Sequence, residues 1–174
     1  MKKLYLALAL LTATNCIGQT HRKLSTFLSF QVNKTLYDRT ITNNSGGVGF
    51  GLQNCLNTKT WIKPTLEINA NLFAGTKELY LTADHKPIGA KSGVLGIYMG
   101  PLFQPVDRLF IATTFGTSIY NSKFHFGIRP SVGIYPSKSK RWTAKASFTN
   151  IFQQDDISNE SFGYVSFELA LKIF

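Results

Sequence analysis

Acyl transfer needs a nucleophile and a base within hydrogen-bond reach of each other, and three histidines supply the bases this chain could use. His21 lies near the start of the chain and His85 sits in a long polar stretch. His125 opens an alternating run, where it could meet Ser147 or Ser118. A second chemistry, cation binding by clustered carboxylates, is open to Asp155, Asp156 and Glu160, which otherwise read as an ordinary acidic loop. A third set comprises Glu67, Arg129, Lys145, Glu168 and Lys172, each on the polar side of its run. No Gly-rich phosphate loop, metal-spaced cluster or nucleophile elbow is present. Of the two cysteines only Cys55 lies beyond the leader segment, so no disulfide or cysteine-based zinc site is expected. No cofactor is expected either.

What must position these residues is a set of alternating runs. Phe124, Phe126, Ile128, Val132 and Ile134 share one face of a strand, and His125, Gly127, Arg129, Ser131 and Gly133 share the other. Similar runs predict eight strands: Leu24–Lys34, Val48–Leu56, Trp61–Gly75, Gly93–Phe103, Arg108–Tyr120, Lys123–Tyr135, Trp142–Phe152 and Gly163–Phe174. A soluble sandwich would bury the greasy faces against a second sheet. A membrane barrel turns them to lipid and fills its interior with the rest. The abundance of Phe, Tyr and Gly, and the lack of any later apolar segment of helix-spanning length, favour the barrel. A closed barrel satisfies every backbone donor in lipid. The expectation is an all-β, eight-stranded, antiparallel up-and-down transmembrane barrel.

The first residues set its destination. Lys2 and Lys3 precede an apolar run, Leu4–Leu11, and a polar exit with Cys16 and Gly18 at a small-x-small cleavage site. That is a secretory signal over residues 1–18, leaving 19–174 as one domain. Lipidation at Cys16 is the rival, but Ala13-Thr14-Asn15 lacks the small residue expected just before the cysteine. The turns after strands 2, 4 and 6 are short, while two of the four other connections are long, which places both termini in the periplasm of an outer-membrane protein. Trp61, Trp142, Tyr135 and Phe174 then form a periplasmic aromatic girdle, and Tyr37, Tyr80, Tyr120 and Phe152 an outer one.

Charge follows the same topology. Without Lys2 and Lys3 the formal charge falls from +10 to +8. The periplasmic side gathers Arg22, Lys23, Lys59, Lys63, Arg108, Lys138, Lys140 and Arg141 against Asp107 alone. This basic rim would face the phospholipid headgroups of the inner leaflet. A basic chain can also signal nucleic acid, but secretion and the strand pattern exclude that partner. In the lumen, Glu67 and Glu168 face Arg129, Lys145 and Lys172, with Glu67–Arg129 and Glu168–Lys145 as expected pairs. Eight strands leave room only for side chains, so the interior reads as a plug, with a narrow gated pore as the alternative. Inward glycines (Gly49, Gly51, Gly96, Gly100, Gly127, Gly133) make room for Tyr98, Phe73 and Phe110. Pro130 falls inside strand 6, where a bulge is expected.

In architecture the whole mature chain resembles the small OmpA/OmpX-type outer-membrane barrels. The stretch from Gly127 to Tyr135, the Lys-rich turn after it and Trp142 are similar to the porin-family barrel domains of Bacteroidota. The resemblance implies a non-enzymatic envelope protein that contacts lipopolysaccharide and phospholipid and is inserted by the barrel assembly machinery. Small barrels also include lipid A deacylases, with a His-x-Ser-Asn motif on the penultimate strand. Ser147-Phe148-Thr149-Asn150 stands in that place without the histidine and with threonine for serine. The carboxy-terminal assembly pattern departs as well: Val165, Phe167, Leu169, Leu171 and Ile173 share a phase and Phe174 is one residue off, so either the strand ends in a bulge or Phe174 wraps onto the rim.

Overall fold

The computed structural model describes residues 24–37, 46–74, 91–120, 123–152 and 162–174. Eight strands follow in chain order: β1 (Leu24–Tyr37), β2 (Gly46–Leu56), β3 (Ile62–Ala74), β4 (Lys91–Val106), β5 (Leu109–Tyr120), β6 (Lys123–Ile134), β7 (Trp142–Phe152) and β8 (Phe162–Lys172). Each is antiparallel to the next, and β8 pairs with β1 to close the barrel. The shortest strands have 11 residues and the longest has 16, at or above the roughly 9–11 that a tilted strand needs to cross a bilayer. The proposed signal segment, His21, His85 and the acidic group Asp155, Asp156 and Glu160 lie outside the described residues.

Polarity is inverted relative to a soluble barrel. Phe50, Leu72, Phe124, Phe126, Phe167 and many other large apolar side chains are exposed. Gln31, Asn33, Glu67, Asn69, Asn71, Thr114 and Arg129 are buried. Water would penalise the first set, and a bilayer core would accept it while the closed ladder satisfies the backbone. The in–out phase expected for the run from Phe124 to Ile134 holds, and Gly49, Gly51, Gly96, Gly127 and Gly133 are buried on the inner face as expected.

Three prolines interrupt the ladder in different ways. Pro64 and Pro101 face each other across β3 and β4. Pro64 falls one residue past the last β2–β3 pair, Cys55 with Thr65, where no donor is required. On the β5 side, pairing breaks at Gly100 and Pro101 and resumes at Leu102 with Ala112. Pro130 is the correction: no bulge forms. β6 keeps one register against β5 through Thr113 and Pro130, and the β6–β7 ladder skips Arg129 and Pro130 between Ile128–Asn150 and Ser131–Ser147 without shifting. The lost donor is absorbed as a gap in one seam, because the strand is held in register from the other side. A register shift does occur between Phe103 and Val106, around Pro105 at the β4 end.

The last strand ends in the bulge expected as one of two possibilities. Ile173 and Phe174 both donate to the Thr26 carbonyl, at 2.8 and 3.5 Å, and Thr26 donates back to Phe174 at 3.2 Å. Two residues opposite one turn consecutive side chains outward, and both are exposed. Tyr135, expected in the girdle, is instead buried with Phe27 and Phe110, since it keeps the inward phase of β6. Trp61, Trp142 and Phe174 remain exposed at that end.

An arginine at Phe50, which is 62% exposed near the centre of β2, should lower folding stability in vesicles by about 2–4 kcal/mol, the cost of a cation at the bilayer midplane. Phe50→Leu should be nearly neutral. The heat-modifiable gel shift, followed against denaturant, measures both.

Candidate functional site: the filled lumen

The lumen has three layers. At the turn end Phe27, Cys55, Leu102, Phe110, Ala112, Tyr135 and Ala170 form one apolar cluster. At the opposite end Phe73, Val94, Ile151, Phe162 and Tyr164 form another. The charges lie between them. Glycines make the aromatic layers possible: a side chain on Gly133 would collide with the Phe110 ring, and one on Gly96 with Tyr98. Cys55 is free and buried, its Sγ 3.3 Å from the Thr65 hydroxyl, so it is a packing residue of the lower layer.

Arg129 is the hub of the middle layer. Its Nε donates to Glu67 Oε2 at 3.2 Å, Nη1 to Thr149 Oγ1 at 2.5 Å, and Nη2 to Glu168 Oε1 at 2.5 Å and Gln31 Oε1 at 3.5 Å. Lys145 bridges the same two carboxylates from β7, reaching Glu67 Oε1 at 3.1 Å and Glu168 Oε2 at 3.3 Å. Ser147 donates to Glu168 Oε1 at 2.5 Å. All four carboxylate oxygens are therefore engaged, and each cation touches both acids. Charged hydrogen bonds of this kind are what make burial tolerable in a dry interior. An amide layer extends it: Gln31 donates to Asn69 at 2.7 Å, Asn33 to Asn71 at 2.8 Å, and Asn71 to the Tyr164 hydroxyl at 3.2 Å.

Lys172 does not belong to this network. It has the inward phase but sits at the turn end of β8, half-buried opposite Phe27 of the apolar layer. Two acids and two cations remain, so the buried set is neutral where a surplus cation had been expected. The described members of the basic rim are gathered at that same end, and Arg22 and Lys23 lie outside the described residues. Lys59, Arg108, Lys138 and Arg141 are exposed. Lys63 turns into the mouth and donates to Gln104 Oε1 at 2.7 Å. Lys140 lies 3.6 Å from Asp107 and over the Tyr135 ring at 5.7 Å from its centroid.

The hydrolytic pairing does not form. Ser147 pairs with Ser131, six residues along β6 from His125, about 20 Å of strand. The strand register, invisible to face-counting, separates them. Ser118 lies opposite His125, yet its hydroxyl shares a short hydrogen bond with Tyr98, and no hydrogen bond joins it to His125 among the described residues. No cluster of three or more candidate metal ligands occurs among the described residues. The inward positions of Leu102, Phe27, Phe162, Tyr164 and Ile151 were missed by the sequence reading. Their alternation was the available signal, but these runs begin or end where loops blur the phase.

No protein-family model matches this chain, and no curated protein sequence matches it. Solved structures do. The crystal structure of Ail, the attachment invasion locus protein of Yersinia pestis, superposes with a TM-score of 0.57 at 10% identity, covering 86% of this chain and 97% of that one. The backbone structure of the same outer membrane protein in a phospholipid bilayer nanodisc gives 0.53 at 10% identity, covering 84% and 99%. A de novo designed transmembrane β-barrel gives 0.54 at 11% identity, covering 86% and 95%. The fold is therefore that of the eight-stranded transmembrane barrels of the Ail and OmpX type.

Replacing Arg129 with Met leaves two buried carboxylates on one ammonium and should cost about 3–5 kcal/mol. Adding Glu67→Gln restores neutrality around the Lys145–Glu168 pair and should recover much of that loss. Urea unfolding of the two variants in the same lipid vesicles gives the comparison.

Proposed function

We propose that this chain is a plugged, non-enzymatic barrel of the outer membrane. Its termini and basic rim face the periplasm and its longer connections face outward to meet partners or lipopolysaccharide. The observation that carries this reading is the continuous filling of the lumen, with a neutral, fully hydrogen-bonded charge layer closed above and below by aromatic side chains. Such a core supports a rigid platform and leaves no water-filled route through eight strands. The short turns at the end that carries Trp61, Trp142 and Phe174 support the sidedness. The exposed pair Ile173–Phe174 at the terminal bulge supports delivery by the barrel assembly machinery. One structural neighbour carries a name that denotes attachment, which supports a surface-contact role.

An epitope inserted at Asp84 should be labelled on intact cells, and one at Ser139 only after permeabilisation. Labelling at Ser139 alone would reverse the topology. Purified protein in planar bilayers should carry no steady current. A stable, ion-selective current that changes with Arg129→Met would replace the plug with a pore.

A further inference from the structure

We infer that the turn-end mouth of the lumen is a blind site for one compact, multiply charged oxyanion of the phosphate type, held by the inward cations of that end rather than by the outer ones. Lys63 of β3 stands opposite Leu102, and Lys172 of β8 stands opposite Phe27. Both partners belong to the lower apolar layer, and residues paired across strands share a face. Two turn residues continue the ladders in the same phase. The Arg108 carbonyl accepts from Tyr135 at 2.8 Å, and the Arg141 carbonyl accepts from Lys172 at 2.7 Å. Lys140 joins this group by lying over the Tyr135 ring, 5.7 Å from its centroid. Lys63, Lys140 and Lys172 are half-buried, and Lys63 lies within electrostatic reach of the other two. Strands β3 and β8 and the turns after β4 and β6 thus bring their cations to one opening.

The occupant follows from the charge balance. Among the described residues no carboxylate pairs with Lys63, Arg108, Arg141 or Lys172. Asp107 is exposed and reaches only Lys140, at 3.6 Å. Glu67 and Glu168, further along the strands of Lys63 and Lys172, are committed to Arg129 and Lys145. Lys63 donates to a neutral acceptor, Gln104 Oε1 at 2.7 Å. Like charges gathered at a narrow opening repel one another, and its low-dielectric walls focus their field on an incoming anion. Guanidinium forks and ammonium groups together suit phosphate oxygens. Phe27, Leu102, Phe110 and Tyr135 close the floor, so the anion is held there and does not pass through. Eight strands admit a small group and no folded partner, and several cations call for more than one negative charge. A soluble phosphate compound and a lipid headgroup bent in from the adjacent leaflet both carry that group. The site stands on lumen geometry, and the sidedness proposed above decides only which compartment supplies the anion.

Titration calorimetry on the folded chain in non-ionic detergent micelles tests the site, with pyrophosphate as the soluble probe and short-chain phosphatidylglycerol as the lipid probe. At least one probe should bind saturably at a single site. Lys63→Gln with Lys172→Gln should weaken that binding about tenfold or more, the scale of a lost charged hydrogen bond. Lys172→Gln alone should give part of the loss, and Lys63→Arg with Lys172→Arg should retain most of the affinity. Lys59→Gln with Lys138→Gln removes the same charge from exposed outer positions and should change little. The heat-modifiable gel shift confirms that each variant is folded. This pattern with pyrophosphate assigns a soluble phosphate compound, and the same pattern with phosphatidylglycerol alone assigns a headgroup. Equal weakening by the inward and the outer pair would overturn the site in favour of a diffuse basic rim. Saturable binding of neither probe would overturn it outright, whatever the epitope labelling shows about topology.

Discussion

Arg129, Lys145, Glu67 and Glu168 come from four strands and meet only because the barrel is closed. Glu67 arrives from β3, Arg129 from β6, Lys145 from β7 and Glu168 from β8, with Gln31 of β1 joining through Arg129. Between two aromatic layers the effective dielectric is low, so every missing partner is expensive. A slip of one residue in any of these strands would send its charge into lipid and leave the others unmatched. The network is thus a check on register that spans the first strand and the last. The surrounding structure is arranged to permit it: glycines clear space for Phe110 and Tyr98, amides extend the network at its flank, the Ser147 hydroxyl donates to Glu168, and the Thr149 hydroxyl accepts from Arg129.

Much of this was legible in the chain because a strand repeats every two residues, and sidedness of each residue survives errors in the ends of the strands. The eight runs, their faces, the inward glycines and the inward acids and cations all follow from that period. What alternation cannot give is height. Lys172 and Lys145 share a phase, but one sits at the rim and the other in the core; His125 and Ser147 likewise share the lumen at different levels. Height is set by the pairing of strands and by barrel shear, which no single run encodes. Pro130 misled for a related reason. The cost of a proline depends on which neighbour its nitrogen faces, and here that seam tolerates a gap.

The same fold serves an outer membrane protein of Yersinia pestis and a designed barrel, at 10% and 11% identity to this chain. The architecture therefore carries little about purpose. What distinguishes this chain lies in its lumen chemistry.

The gaps at Pro101 and Pro130 lie on opposite flanks of one hairpin. The β5–β6 ladder is continuous from Leu109–Ile134 to Tyr120–Lys123, while its outer seams, to β4 and to β7, are each broken at mid-height beside Thr113 and Arg129. In the plane of the membrane the wall therefore has one hairpin with an unbroken inner ladder and a single interruption in each outer ladder. Each proline removes a donor from an outer ladder and leaves the hairpin's own register, and with it the inward aim of Arg129, unchanged.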